Sequence, residues 1–112
     1  MSITVIFLEP AIKDIESIYD YLEETAGSAI ALNKINELEI ACDSLTQESE
    51  RGRIPRELER IGISDYRQII SDPYRIIYQV TNDDVYIFGI IHGKRNVQDV
   101  LRRRLLRSLG HF

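Results

Sequence analysis

Hydrophobic residues recur at three different spacings along the chain, and these spacings predict its secondary structure. Residues 3–8 form a short, uncharged and largely β-branched run, which predicts a strand buried on most of both faces. Over residues 12–22 and 31–45 the apolar positions return every three or four residues, which predicts two antiparallel helices. Glu9-Pro10 ends the strand, because proline suits the first turn of a helix. The first helix is expected to end near Gly27 and Ser28 to cap the second.

The second half of the chain follows a different pattern. Residues 48–61 contain a glycine, a proline and four arginines without a clean period, which predicts a connecting loop with a helical turn at 56–60. Runs at 66–70, 74–80 and 85–92 are separated by short polar sequences and predict two hairpins. Apolar residues at helical spacing from residue 97 onward predict an arginine-rich C-terminal helix.

These elements predict a single α+β domain that spans residues 1–112. In it, two N-terminal antiparallel helices pack on a four-stranded, mainly antiparallel sheet, and a C-terminal helix follows. A chain of 112 residues has enough surface to bury for one hydrophobic core. The last three strands form a meander, whereas the pattern leaves open which strand pairs with the first.

Charge is distributed unevenly along the chain, although the net charge is only −4. Residues 9–50 carry −9, residues 51–92 carry zero and residues 93–112 carry +5. A basic C-terminal segment on an acidic body predicts a local contact with an acidic partner, unless the arginines only form a solvated helix face.

The composition limits the possible location and chemistry. No run approaches the length of a membrane span and no basic leader precedes an apolar stretch, so we expect a cytoplasmic protein without a membrane partner. The single Cys42 excludes an internal disulfide and a four-cysteine metal site. There is no phosphate-binding glycine loop, no pair of histidines at helical spacing and no CxxC, so we expect neither a metal nor a cofactor.

Two kinds of side chain remain as candidates for chemistry. Imidazole catalysis would depend on His92, because His111 is next to last in the chain. Arg75 and Arg95, with Arg67 on the adjacent strand, can hold a phosphate or a partner's carboxylate through paired hydrogen bonds. The structural alternative is a set of salt bridges to Asp65, Asp72 or Asp99. The acids of the first helix are explained best as a solvated face: Asp14, Glu16, Asp20, Glu23 and Glu24.

Four consecutive segments of the chain carry a resemblance to a known family. They are the third predicted strand, Tyr74-Arg75-Ile76-Ile77-Tyr78-Gln79-Val80, the acidic turn after it, the run from 85 to 91 and then His92-Gly93-Lys94-Arg95. Together they resemble the RelE/ParE toxin superfamily. The opening strand, which ends in Glu9-Pro10-Ala11, and the helix after it extend the resemblance over nearly the whole chain. The resemblance implies the fold of that superfamily and a bacterial type II toxin of the kind found in plasmid stabilisation systems. It also implies a small antitoxin encoded beside the toxin, similar to ParD.

The superfamily has two branches with different targets. RelE-like members are mRNA endonucleases that act on the ribosome with a lysine-rich strand, phosphate-holding arginines and commonly a C-terminal tyrosine. Here Arg75 and Arg95 match the arginine positions, but Arg67 is the only basic residue of its strand and no tyrosine follows Tyr86. A net charge of −4 also disfavours a binding site surrounded by RNA phosphates.

The sequence therefore favours a ParE-like toxin that inhibits DNA gyrase by protein binding and has no catalytic residue of its own. The residues expected to bind partners are Arg75, Lys94, Arg95, Arg102, Arg103, Arg104 and Arg107. One alternative is a RelE-like nuclease, in which Arg67, Arg75 and Arg95 hold the phosphate and His92 transfers a proton. A second alternative is a non-toxic relative that only binds an antitoxin.

Overall fold

The computed structural model describes residues 3–109, without the side chains of residue 105 and residues 107–109. All the predicted helices and strands are present, including the helical turn in the long loop. In chain order they are β1 (Thr4–Phe7), α1 (Glu9–Ala26), α2 (Ser28–Asp43), a 3₁₀ turn (Ser44–Thr46), α3 (Arg56–Glu59), β2 (Arg67–Ser71), β3 (Tyr74–Thr81), β4 (Asp84–His92) and α4 (Val97–Leu109).

The four strands form one sheet in the order β1-β4-β3-β2. Strands β2, β3 and β4 form the predicted antiparallel meander, and β1 joins it parallel to β4. This pairing makes β1 an edge strand. Its apolar side chains are therefore only half-buried, and the prediction that it is buried on most of both faces is wrong, because it has a neighbouring strand on one side only.

Both faces of the sheet are covered, each by different helices. Helices α1 and α2 cover one face, and the core there includes Leu38, Ile76 and Tyr78. Helices α3 and α4 cover the other face around Ile77 and Val97. Consecutive residues of a strand point to opposite faces, so Ile76 and Ile77 enter different cores although they are adjacent.

A β-bulge interrupts the pairing of β3 with β4. Ile77 lies opposite Gly89 and Tyr78 opposite Ile87, so Phe88 is the extra residue. The bulged Phe88 packs edge-on against Tyr66, with ring centroids 5.0 Å apart. Since β1 ends opposite Ile87, the part of β4 after the bulge has no neighbouring strand on that side.

Helices α1 and α2 meet at Gly27. Its φ of 95° lies in the region that only glycine adopts readily, so the chain reverses there between two helices. Gly27 is the N-cap of α2 and provides no side chain, whereas Ser28, expected to be the cap, is the first residue of the helix. Within residues 3–109, no helix has the length and apolar character needed to cross a membrane.

Candidate functional site

Arg75 lies on β3 and makes a network of hydrogen bonds inside the protein. Its Nη1 and Nη2 atoms donate to the two carboxylate oxygens of Glu57 at 3.0 and 2.9 Å. Its Nε donates to Gln68 Oε1 at 2.7 Å, and Nη1 also donates to the carbonyl of Arg95 at 3.1 Å. The Arg75 side chain is 10% exposed. A carboxylate of the same chain thus occupies the position expected for a phosphate or a partner's carboxylate, and that acid is Glu57, not Asp65, Asp72 or Asp99.

Glu57 connects three elements through one carboxylate. Besides binding Arg75, its Oε2 accepts the backbone N–H of Val97, the first residue of α4, at 3.1 Å. A negative charge at this end of a helix is favourable, because the free N–H groups there carry partial positive charge. Hydrogen bonds from Arg75, and further ones from backbone N–H groups, lower the pKa of Glu57 to about 2. No sequence pattern indicates this role, because Glu57 belongs to a segment without a period and lies 18 residues from Arg75.

Arg67 and His92 also bind groups within the chain, but far from each other. Arg67 Nη1 donates to the carbonyls of Gly52 at 2.8 Å and Glu50 at 3.3 Å, which attaches the long loop to β2. His92 Nδ1 accepts the backbone N–H of Lys94 at 3.2 Å and so closes the turn after β4. On β3, Tyr78 lies opposite Arg67 and Tyr74 lies opposite His92. Tyr74 and Tyr78 are four residues apart, so Arg67 and His92 are separated by about 13 Å along the strand direction. The four residues of the nuclease alternative are therefore not assembled around one point.

The remaining predicted partner residues of the C-terminal segment divide into exposed and inward-facing side chains. We define the C-terminal basic surface as the exposed Lys94, Arg95, Arg102 and Arg103. A weak, exposed ion pair of 3.6 Å joins Arg102 to Asp99. The side chain of Arg107 lies outside the described residues.

Arg104 faces inward, toward α1 and β4. Its Nη2 contacts Asp14 Oδ1 at 2.8 Å, and its Nη1 donates to the carbonyl of Phe88 at 3.0 Å. The other oxygen of Asp14 accepts the N–H of Ile90 at 2.9 Å. The Asp14–Arg104 pair thus binds two backbone groups of β4, the Phe88 carbonyl and the Ile90 N–H, beyond the point where β1 ends. A side chain at Gly89 would displace the Arg104 guanidinium from this position, since a Cβ there would lie 2.5 Å from Arg104 Nη1.

The acidic face of α1 is solvated as predicted, with one exception. Glu16, Asp20, Glu23 and Glu24 are exposed. Asp14 was expected among them, but its side chain is only 16% exposed. The difference arises because α1 and α4 meet over the edge of β4, an arrangement that helical spacing along α1 does not reveal.

An apolar groove lies beside Arg102 of the C-terminal basic surface, between α4 and the segment that follows α3. Its volume is about 360 Å³, and Arg102 and Gln98 lie at its border. The apolar residues that line it are Leu58, Ile61, Ile63, Tyr66, Leu101 and Leu106. Ile61 and Leu106 remain about half exposed, so the groove can receive an apolar side chain of a partner flanked by acidic groups.

Metal-ligating side chains and the cysteine thiol were the remaining reactive groups of residues 3–109. No group of three or more metal-ligating side chains occurs in this part of the chain. Burial of Cys42 raises the pKa of its thiol to about 12, which removes the thiolate needed for nucleophilic attack.

Comparison with known proteins agrees with the fold and identifies the family. The α+β architecture is that of RelE/ParE-like toxins. The sequence profile of the ParE toxin of the type II toxin–antitoxin system parDE matches residues 5–97. The chain therefore belongs to the ParE toxin family, which confirms the superfamily resemblance inferred from its strand and turn residues. No curated protein sequence matches it significantly.

Three solved structures share the fold at low sequence identity. The chromosomal ParDE toxin–antitoxin system from P. aeruginosa superposes with a TM-score of 0.68 at 17% identity, covering 80% of this chain and 95% of the other. The toxin–antitoxin complex RelBE2 from Mycobacterium tuberculosis gives 0.54 at 21% identity, covering 82% and 99%. The YoeB dimer from Staphylococcus aureus gives 0.53 at 16% identity, covering 80% and 95%. At such identities these structures show the fold alone.

Proposed function

We propose that this ParE-family toxin inhibits DNA gyrase by binding it, and that a cognate antitoxin similar to ParD neutralises the toxin. The observation that carries the proposal is the division among its basic residues. Arg67 and Arg75, two of the three arginines assigned to phosphate binding in the nuclease alternative, are occupied by groups of the same chain, whereas the C-terminal basic surface is exposed and borders an apolar groove through Arg102.

Arg75 is poorly suited to hold a phosphate in this conformation. Four of its five N–H groups already donate to Glu57, Gln68 and Arg95. An incoming phosphate would have to displace the Glu57 carboxylate, and separating a largely buried ion pair is costly because each charge then loses its partner. A role in binding a partner through the exposed arginines requires no such rearrangement.

The C-terminal basic surface has the features of a protein-binding surface. Arginine and large apolar residues are enriched at protein interfaces, and Arg102 borders the groove lined by Tyr66, Leu101 and Leu106. Its positive charge lies on a chain whose net charge is −4. The acidic body disfavours general attraction to nucleic acid, so the local positive charge fits an acidic region of a protein partner better.

A DNA cleavage assay with purified gyrase, plasmid and ATP tests the proposal. Reactions stopped with detergent and protease should contain linear plasmid in proportion to the toxin, and added antitoxin should abolish it. The double variant Lys94→Glu with Arg95→Glu should require about tenfold more toxin for the same effect, which corresponds to about 1.4 kcal/mol of binding free energy.

The matched control is Lys13→Glu with Arg53→Glu, which changes the charge equally at exposed positions outside the C-terminal basic surface. It should act like the unmodified toxin. Folded toxin that produces no linear plasmid and leaves supercoiling intact would contradict the proposal. Cleavage of translated mRNA that is lost in Arg95→Ala would instead identify the RelE-like nuclease. Antitoxin binding without either activity would identify the non-toxic relative.

A further inference from the structure

Ile40 of α2 has the most exposed large hydrophobic side chain within residues 3–109, at 71%. It does not belong to the residues that α2 packs on the sheet, so the core does not account for it. Glu39 precedes it, and Asp43 lies three residues further on the same side of the helix. Both carboxylates are exposed, and the ion pairs found within residues 3–109 involve other acids. We call Glu39, Ile40 and Asp43 the α2 patch.

The other exposed hydrophobic residues of α1 and α2 lack this combination of an apolar side chain with two exposed carboxylates. Ile12 lies beside Lys13. Ile30 and Leu32 have no acid within four residues on α2. Tyr21 does have acidic neighbours, but its hydroxyl would exchange water for apolar surroundings in a hydrophobic groove, which is costly. The α2 patch is therefore the surface best suited to a groove that is apolar inside and basic at its border.

The chain itself carries such a groove. The apolar groove of about 360 Å³ beside α4 has Arg102 at its border and Leu106, which is 60% exposed, one turn further along. The four residues from Arg102 to Leu106 span about 6 Å of the helix axis, and the three from Ile40 to Asp43 span about 4.5 Å. In a helix that crosses α4, Ile40 can therefore lie beside Leu106 in the groove. Asp43 then lies opposite Arg102.

The two surfaces of one copy cannot meet each other. Helix α2 packs on one face of the sheet and α4 on the other, so Ile40 does not reach the groove of its own chain. Between two copies the charges are complementary, because residues 9–50 carry −9 and residues 93–112 carry +5. The net charge of −4 opposes association less strongly, since charges farther apart than a Debye length of about 10 Å in 0.1 M salt are largely screened.

We propose that copies of this chain associate head to tail, with the α2 patch of one copy bound to the apolar groove and the C-terminal basic surface of the next. Ile40 fills the groove, and its two flanking carboxylates face Arg102 and Arg103 of the next copy. Such a contact leaves a free patch at one end and a free groove at the other, so further copies can add. Self-association covers the surface that we propose for gyrase, but the inference does not depend on gyrase.

Sedimentation velocity of the full chain tests this inference without gyrase or antitoxin. In about 50 mM salt the weight-average sedimentation coefficient should rise between about 5 and 500 μM protein, the range in which weak contacts form. The variant Glu39→Lys with Asp43→Lys should raise the dissociation constant at least about tenfold, and so should Arg102→Glu with Arg103→Glu. Circular dichroism verifies that each variant is folded.

Two matched controls change the charge equally at exposed positions elsewhere. Glu16→Lys with Glu24→Lys, on α1, is the control for the variant of the α2 patch. Lys13→Glu with Arg53→Glu is the control for the variant of the C-terminal basic surface. Both controls should associate like the unmodified chain, because neither position belongs to the proposed contact.

A mixture of the two test variants separates a specific contact from a general effect of charge. The variant at Arg102 and Arg103 keeps an intact α2 patch, and the variant at Glu39 and Asp43 keeps an intact groove. An equimolar mixture should therefore associate although neither variant does so alone. An unmodified chain or a mixture that stays monomeric over the whole range would overturn the inference. Controls that lose association as much as the test variants, or test variants that keep it, would overturn it as well.

Discussion

At the residue scale, the Glu57 side chain links three elements of the fold. Its two oxygens bind the Arg75 guanidinium and the first N–H of α4, so one carboxylate joins α3, β3 and α4. Its side chain is 18% exposed and that of Arg75 is 10% exposed. Removing one charge from such a pair leaves the other without compensation in a mostly buried position.

We expect Glu57→Gln to lower the free energy of unfolding by about 2 kcal/mol, because Arg75 then lacks its anionic partner. Urea denaturation followed by circular dichroism measures the change. The control is Glu59→Gln, two residues along on the same helical turn, where the side chain is exposed and the loss should be below about 0.5 kcal/mol. Equal stabilities of the two variants would show that the pair contributes nothing.

The same substitution predicts a dependence on pH. Because the pKa of Glu57 is lowered from 4.5 to about 2 in the folded protein, its charge stabilises the fold fully above pH 4.5. This stabilisation is lost as the pH falls from 4.5 through 2. The difference in unfolding free energy between the unmodified protein and Glu57→Gln should therefore shrink over that interval. A difference that stays constant down to pH 2 would contradict the assigned pKa.

At the scale of elements, α4 is attached to the domain at two separate points. Glu57 binds its first N–H group, and Arg104 binds Asp14 and the carbonyl of Phe88 nearly two turns further along. Between them, Val97, Val100 and Leu101 pack on the sheet. The inward position of Arg104 therefore serves to hold the helix that presents Arg102 and Arg103 to solvent.

A double-mutant cycle on Asp14 and Arg104 measures this attachment. Asp14→Ala should destabilise the protein by about 2 kcal/mol, because it also leaves the Ile90 N–H without its acceptor. The coupling energy between Asp14→Ala and Arg104→Ala should be about 1 kcal/mol or more. Each single variant should also accelerate tryptic cleavage after Arg102 and Arg103, since α4 detaches more often.

The exposed pair Asp20 and Arg103 provides the control cycle on the same two helices. Its coupling energy should be zero within error, because the two side chains have no contact to lose. A cycle for Asp14 and Arg104 with no greater coupling would show that apolar packing alone holds α4.

At the scale of the whole molecule, two cores share one sheet. Ile76 points toward α1 and α2, and Ile77 points toward α4, yet they are neighbours on β3 and are both buried. A strand cannot lose its packing on one face and keep a regular conformation on the other without cost. The two cores should therefore unfold together.

We expect Ile76→Ala and Ile77→Ala each to lower the free energy of unfolding by about 3 kcal/mol, in a single transition. The transition should coincide when it is followed by circular dichroism and by hydrogen exchange in α4. Ile70→Ala, at a position that is 60% exposed, should cost far less. Early loss of α4 protection in Ile77→Ala alone would show that the second core unfolds independently.

Much of this architecture was predictable because the relevant signals are local. Helical spacing identified α1, α2 and α4, and the short polar sequences between the last three apolar runs correctly predicted two hairpins. The bound positions of Asp14 and Glu57 were not predictable. Their partners lie 90 and 18 residues away, and no spacing along one element indicates which distant side chain will face them.

The sequence by itself determined the order of the elements, the α+β class, the separation of acidic and basic segments and the membership of a toxin family. The first three depend on residue types and short-range spacing, whereas the family membership rests on the match of the ParE toxin profile to residues 5–97. Only the tertiary structure decided that β1 lies parallel to β4 at an open edge, that Arg75 and Arg104 are engaged within the protein, and that Arg95, Arg102 and Arg103 are exposed. These outcomes depend on how the α1–α2 hairpin and α4 pack on opposite faces of the sheet, because packing sets which distant groups meet and which remain free to bind a partner.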